Sequence, residues 1–180
     1  NLDSIVVTNA NGRRLRKFAF RYYLNAGNKR QFLKEIEIER QNGVSHCYQF
    51  EYYNKDLLPG YLTGKTDRWG YYNGVAGKVM SDFEHYEDSL QTNSELTKYG
   101  ILTKVTYPTG GYSRFEFEAN RCGKILNDNH NGTYSSSRLV GGVRIKRIYN
   151  SPSGNSSDEE LSREYIYTTG YAAHGEDGPS

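Results

Sequence analysis

The chain has 180 residues, a length that fits one domain whose folding buries a sizeable core without metals or disulfides. Its 23 basic and 21 acidic residues leave a net charge of +2, which lacks the basic surplus that phosphate neutralisation needs and argues against a nucleic-acid partner. Only 36% of the residues are hydrophobic, but 17 Tyr, 7 Phe and 1 Trp predict an aromatic core. No apolar run is long enough to predict a transmembrane segment.

A unit of about 20 residues recurs along the chain, with an apolar strand, a glycine turn and an aromatic strand in that order. In the first copy, residues 2–23, Phe18 and Phe20 alternate with charged or small residues, which predicts a strand with one apolar and one charged face. Asn11-Gly12 predicts a type I′ turn between its two strands. The remaining apolar positions are Leu2, Ile5, Val7 and Tyr22.

The second copy, residues 33–53, follows the same order, with Asn42-Gly43 as its predicted turn. Ile36 and Ile38 alternate with three glutamates, a pattern typical of antiparallel sheets with one face in water. We interpret the outward charges as cross-strand pairs on a solvated face, in preference to a charged binding surface. The aromatic positions Tyr48, Phe50 and Tyr52 are assigned to the core, in preference to a ligand platform.

Residues 57–100 depart from the repeat and are predicted to be an irregular insertion. Its glycine-rich first half holds Trp69, Tyr71 and Tyr72, whose exposed rings would suit stacking on sugars; the preferred interpretation is that Trp69 folds back over the sheet. Asp67 is expected to bond backbone amides of the preceding turn. A short helix is predicted over 82–96, because Phe83, Tyr86 and Leu90 have helical spacing.

A third hairpin is predicted over residues 102–118, with Gly110-Gly111 as its turn and with Phe115 and Phe117 facing the core. A polar, mobile loop is predicted over 122–138, and a disordered tail over 169–180. A fourth hairpin is predicted with a less regular pattern. Its first strand contains Val143, Ile145 and Ile148, and its second, after the polar loop 151–160, contains Tyr165 and Tyr167. The expected fold is all-β: consecutive antiparallel hairpins in a twisted or coiled sheet, as a single domain over 1–168.

Catalytic and metal-binding patterns are weak in this sequence, and no enzyme, cofactor or metal is predicted. His46 and Cys47 are adjacent on a predicted strand, so they would point to opposite faces and cannot share a proton. Cys47 and Cys122 are expected to be unpaired, partly buried thiols, with one disulfide between them as the alternative. Calcium is a minor alternative at Asp82, Asp128, Asn129 and Asn131, which lack the spacing of a known site.

The third hairpin, ILTKVTYPTGGYSRFEFEAN, resembles the YD repeat of bacterial RHS proteins, and WGYYNG at residues 69–74 is similar to a segment upstream of such repeats. The resemblance implies a long β-sheet strip that coils, in complete members, into a shell around a C-terminal toxin or effector. It also implies a secreted or surface-exposed protein. Two departures matter: the repeat lengths are irregular, and the family's Asp-Pro-x-Gly autoprotease signature is missing. Neither toxin nor self-cleavage therefore transfers to this chain.

The expected function is a non-enzymatic scaffold segment of a larger secreted or cell-surface RHS/YD-repeat-like protein. Its expected partner is the rest of the parent polypeptide or another protein. The alternative is a carbohydrate-binding β module that uses exposed aromatics around Trp69. We expect exposure of Trp69 to separate the two interpretations.

Overall fold

The computed structural model describes residues 2–24, 27, 30–40, 43, 45–77, 89–126, 133–154 and 160–167, with backbone alone at 124–126 and 133–137. Within these ranges eight antiparallel strands form one open sheet, and each strand pairs with the next along the chain. The expected all-β class is confirmed. The strands are β1 (Ser4–Thr8), β2 (Arg14–Leu24), β3 (Gln31–Arg40), β4 (Ser45–Tyr52), β5 (Leu102–Thr106), β6 (Tyr112–Leu126), β7 (Thr133–Ser151) and β8 (Leu161–Glu164).

The chain divides into two compact units. The first consists of Asn1–Gly64, Lys98–Glu116 and Arg147–Arg163, and the second of Lys65–Thr97, Phe117–Lys146 and Glu164–Ser180. The insertion predicted at 57–100 thus supplies part of both units. The single domain expected over 1–168 stays a prediction.

The register of the first unit places apolar side chains opposite one another on one face, which we call the apolar face. Phe18 lies between Ile5 and Ile38, and Phe20 lies opposite Ile36. The phenylalanines predicted to face the core are all half-buried, and none is exposed: Phe18, Phe20, Phe50, Phe115 and Phe117. In the part of the chain that the structure describes, Ala119 is the only buried apolar residue, and no large side chain is fully buried. The expected aromatic core is therefore a half-covered sheet face.

The opposite face carries the cross-strand ion pairs that the sequence predicts. Lys17 Nζ lies 2.9 Å from Glu39 Oε1, and Arg21 Nη2 lies 2.9 Å from Glu37 Oε2. The hydrogen bond from Arg21, with a second from Ser45, lowers the pKa of the Glu37 carboxyl. Pairs of this kind contribute little each, because water screens them.

The pairing of Arg21 with Glu37 predicts a local pH dependence. A lowered pKa in the folded state means that the pair stabilises the fold above the ordinary glutamate pKa of about 4.3, and that this contribution is lost as pH falls through the folded value. We expect Arg21→Ala to raise the pKa of Glu37 toward its ordinary value in an NMR titration of side-chain carboxyls. The control Lys104→Ala removes the partner of Glu51 and should leave Glu37 unchanged. An unshifted Glu37 in R21A would contradict the pairing.

Gly12, Gly43 and Gly110 each lie in a hairpin turn as predicted, but the type I′ turn predicted at Asn11-Gly12 is wrong. Gly12 has φ +77°, and its N–H donates to the Asn9 carbonyl at 3.0 Å, whereas φ at Asn11 is not positive. This geometry is a four-residue turn, Asn9 to Gly12, whose fourth residue is a left-handed glycine, and not the predicted type I′ turn. Gly110 has φ +92° and bonds Tyr107 in the same way, so Pro108 and Thr109, not Gly110-Gly111, form the centre of that turn. Gly43 has φ +78°, while Asn42 lies outside the described residues.

Four further predictions concern the polar loop, the fourth hairpin, the short helix and the tail. The loop predicted over 122–138 is wrong for most of its length, because β6 continues to Leu126 and β7 begins at Thr133. The fourth hairpin is present as β7 and β8, although Tyr165 and Tyr167 follow β8 instead of lying within it. Of the helix predicted at 82–96, residues 82–88 lie outside the described residues. Over 90–95 the prediction is wrong, because the backbone there forms turns and irregular structure before Leu96 begins a short 3-10 helix. The predicted tail at 169–180 also lies outside them.

Candidate functional site

The aromatic loop, residues 65–73 of the second unit, is a miniature hairpin. Thr66 pairs with Tyr72 in an antiparallel bridge, and the Asp67 N–H donates to the Tyr71 carbonyl at 2.7 Å. Gly70 has φ +89°, and its N–H donates to the Asp67 carbonyl at 3.0 Å. The loop therefore has the same kind of turn as Asn9 to Gly12, with a left-handed glycine at its fourth position.

The carboxylate of Asp67 organises this turn. Its Oδ1 accepts hydrogen bonds from the N–H groups of Trp69 at 3.0 Å and Tyr71 at 2.9 Å, and its Oδ2 accepts one from the Thr92 hydroxyl at 2.8 Å. The side chain of Asn9 does the same in the first turn, accepting from two backbone amides that follow it. The expectation that Asp67 bonds the preceding turn is wrong, because a short side chain at this position reaches the amides ahead of it.

A second anchor, Asn73, joins the other end of the loop to the chain at 89–91. Its Nδ2 donates to the carbonyls of Ser89 at 2.7 Å and Gln91 at 3.0 Å, and its Oδ1 accepts from the Val75 N–H. Asp67 and Asn73 are both buried. Buried polar groups with all these bonds made hold a loop in one conformation, so the aromatic side chains are presented from a rigid base.

Trp69 lies against the backbone of β7 at Gly141. A Cβ placed on Gly141 would lie 2.7 Å from Trp69 Cγ, so only glycine leaves room for the indole. Beside it, a Cβ on Gly142 would lie 3.0 Å from the Tyr71 hydroxyl. The Gly141-Gly142 pair thus forms a seat for both side chains. No local pattern in the sequence indicated this seat, because it depends on residues about 70 positions apart.

The three predicted site residues are brought to one loop but differ in exposure. Trp69 remains 51% exposed and Tyr71 44% exposed, whereas Tyr72 is half-buried in the bridge with Thr66. The indole therefore both packs on β7, as the preferred interpretation expects, and presents a surface to solvent, as the alternative requires. Chemically, the exposed rings of Trp69 and Tyr71 offer flat apolar surface, which suits stacking.

A polar cluster in the first unit was missed by sequence reasoning. Arg114 pairs with Glu160 at 3.1 Å, and its guanidinium lies 3.8 Å from the ring centre of Tyr149. The hydroxyl of Tyr112 donates to Glu160 at 3.0 Å, which raises the pKa of Tyr112. These charged and aromatic groups satisfy one another across strands, so the cluster has a structural role. Its members come from separate hairpins, and no spacing in the sequence relates them.

The remaining sequence candidates are not brought together. Cys47 lies opposite Glu37 and His46 opposite Ile38, so the two side chains point to opposite faces as expected. Both cysteines are free thiols, and burial raises the pKa of Cys47, which keeps it protonated and poorly nucleophilic. No group of His, Cys, Asp and Glu fit to hold a metal occurs in the described ranges. The calcium candidates Asp82, Asp128, Asn129 and Asn131 lie outside those ranges.

We found no significant match of the chain to a protein-family model, a curated protein or a solved structure. Among the helices that the structure describes, none has the length and apolarity needed to cross a bilayer.

Proposed function

We propose that this chain is a non-enzymatic structural and interaction scaffold, a segment of a larger secreted or cell-surface bacterial protein of the RHS/YD-repeat type. The observation that carries the proposal is the half-covered apolar face on a sheet of sequential hairpins. Its aromatic and aliphatic residues alternate in register across β1 to β5, yet no large side chain in the described residues is fully buried.

The partner of the apolar face is the rest of the parent polypeptide or another protein. Burying apolar surface contributes about 25 cal/mol per Å², so a layer laid over this face would stabilise it. The opposite face carries paired charges and needs no cover. Each face thus has a role in a scaffold: one packs, and the other stays in water.

The sequence of the full-length gene tests this assignment. We expect further units in which an apolar strand, a glycine turn and an aromatic strand follow one another, together with a C-terminal domain that varies between strains. A gene without further hairpin units, or one in which this chain interrupts the sequence of a recognisable catalytic domain, would contradict the proposal.

The second candidate function is carbohydrate binding by Trp69, Tyr71 and Tyr72. The specific observation in its favour is the rigid presentation of a half-exposed indole beside an exposed tyrosine. Aromatic rings with one open face can stack on the apolar face of a sugar. The same indole, however, packs on Gly141, and this contact favours a structural role.

Replacing Trp69 with alanine separates the two functions. Because the indole covers the backbone at Gly141, we expect Trp69→Ala to lower the melting temperature by about 4 °C and to leave the signal on a glycan array unchanged. Tyr61→Ala, which removes another exposed aromatic, is the control on both measurements. Glycan binding by the unmodified chain that is lost in W69A at an unaltered melting temperature would overturn the structural role and establish the sugar site.

A further inference from the structure

A cavity of about 320 Å³ opens to solvent in the first unit, where the turn between β5 and β6 meets the end of β7. Leu161 on β8 supplies an apolar part of its wall. Gly111 brings the turn and β7 together, because a Cβ placed on Gly111 would lie 2.5 Å from the Pro152 carbonyl oxygen. The cavity is therefore shaped by a close contact of two backbones that only glycine permits. Its volume is at the lower end of the range for small-molecule sites, about 300 to 1,000 Å³.

A chain of hydrogen bonds lines this cavity, and its direction is fixed. Ser113, which is buried, donates its hydroxyl proton to Asn150 Oδ1 at 2.6 Å. Because a serine hydroxyl has one proton, the 2.9 Å contact between the Tyr107 and Ser113 hydroxyls has Tyr107 as the donor. The Tyr107 oxygen thus keeps its lone pairs for a ligand, and Asn150 keeps both N–H groups of its side chain.

Two polar side chains of the cavity are free to bind a ligand. Asn150 is exposed, and no residue in the described ranges accepts a hydrogen bond from its Nδ2. Thr109, in the turn, is also exposed, and its hydroxyl has no partner among the same residues. The cavity therefore offers a donor at Asn150, an acceptor at Tyr107 and a hydroxyl at Thr109 that both donates and accepts.

Tyr107 also gives the cavity a flat apolar wall in a fixed orientation. Its side chain is 38% exposed, and its ring meets the Tyr48 ring edge-on, with the centres 6.1 Å apart and the planes at 87°. None of the residues that line the cavity carries a charge, and the nearby Arg114 and Glu160 pair with each other. A charged ligand would lose water here without gaining a counter-charge, so the cavity favours a neutral ligand.

We propose that this cavity binds a neutral saccharide. Neighbouring hydroxyl groups of a sugar both donate and accept hydrogen bonds, which matches the donor at Asn150, the acceptor at Tyr107 and the hydroxyl at Thr109. The apolar face of the sugar packs on the Tyr107 ring. This site is distinct from the aromatic loop, because its residues belong to the first unit and Trp69 belongs to the second. The binding activity goes beyond the scaffold role and does not depend on it.

The test is an NMR titration of the full chain, followed through the side-chain amide of Asn150 and the backbone amide of Gly111. The probes are the methyl glycosides of glucose, galactose, mannose and N-acetylglucosamine, each added separately. We expect at least one of them to shift both signals along a saturating curve. If every probe leaves the two signals unchanged, or shifts them without saturation, the proposal is overturned.

Two variants test the assigned roles. Asn150→Asp keeps an acceptor for Ser113 but removes the N–H groups, so N150D should weaken binding about tenfold, measured at the Gly111 amide. Tyr107→Phe keeps the ring but removes the hydroxyl, so Y107F should weaken binding about threefold. Tyr53→Phe removes a hydroxyl from a tyrosine of the same 38% exposure outside the cavity, and should bind like the unmodified chain.

A further variant separates this cavity from the aromatic loop. Trp69→Ala should leave the titration curve unchanged, because the indole is not part of the cavity. Saccharide binding that W69A abolishes, or that neither N150D nor Y107F weakens, would place the sugar elsewhere on the chain and overturn the proposal.

Discussion

Replacing Phe50 with alanine is expected to lower the free energy of unfolding by about 3 kcal/mol. Phe50 lies on β4, opposite Val105 on β5, in the interior of the strand order. Its ring is half-buried, which places the expected cost at the low end of the range for emptying an aromatic site. The neighbouring residue Glu51 points to the other face, where it pairs with Lys104 at 3.3 Å while 57% of its side chain stays exposed. We expect Glu51→Ala to change stability by less than about 0.5 kcal/mol.

Denaturant titrations of the two variants give the comparison directly. Phe50→Ala and Glu51→Ala differ by one position on the same strand, so they test which face carries the packing. Equal losses of unfolding free energy would mean that Phe50 and Glu51 do not lie on a packed face and a solvated face. A larger loss for E51A would mean that the faces are reversed.

Replacing Asp67 with alanine is expected to cost about 2 to 4 kcal/mol, because it leaves the N–H groups of Trp69 and Tyr71 and the Thr92 hydroxyl without their acceptor. Asp67→Asn keeps a carbonyl oxygen at the Oδ1 position. It should cost much less, since Asn9 holds the corresponding turn of the first hairpin in the same way. The negative charge of Asp67 is then secondary to its geometry.

Thermal unfolding and tryptophan fluorescence measure this effect together. In D67A we expect a lower melting temperature and a red-shifted emission, because the indole of Trp69 leaves its seat on Gly141. In D67N both should stay near those of the unmodified chain. If D67N is as damaging as D67A, the charge and not the turn geometry holds the loop; if D67A changes neither signal, the loop does not depend on Asp67.

The sequence predicted which face of the sheet each strand side chain lies on, because successive side chains alternate between the two faces once a strand has been recognised. Ile36 and Ile38 alternate with glutamates, and the observed register places them opposite Phe20 and Phe18 as this alternation requires. The turn type was not predictable from the Asn11-Gly12 pair alone. The observed turn begins at Asn9, two residues before Asn11. The side chain of Asn9 stabilises it by accepting hydrogen bonds from the backbone amides of Asn11 and Arg13.

The strands of 122–138 were missed because they lack the signal on which the other strands were recognised. Their sequence is polar and rich in serine, with no alternation of apolar side chains. Backbone hydrogen bonds pair β6 with β7, and hydrophobic periodicity cannot predict such pairing. The packing of Trp69 on Gly141 was missed for a related reason. A Gly-Gly pair within a strand indicates a close contact, but the sequence alone does not identify the side chain that makes it.

The central claim is that the apolar face of the sheet is left half-open for a further layer of protein. A soluble paramagnetic agent tests this directly, because it relaxes methyl groups in NMR spectra according to their access to solvent. The Ala119 methyl, which is buried, and the Ile166 methyls, at 86% exposure, give the two limits within the same chain. We expect the methyls of Ile36 and Ile38 to fall between these limits. Protection of both residues equal to that of Ala119 would show a closed core and contradict the account.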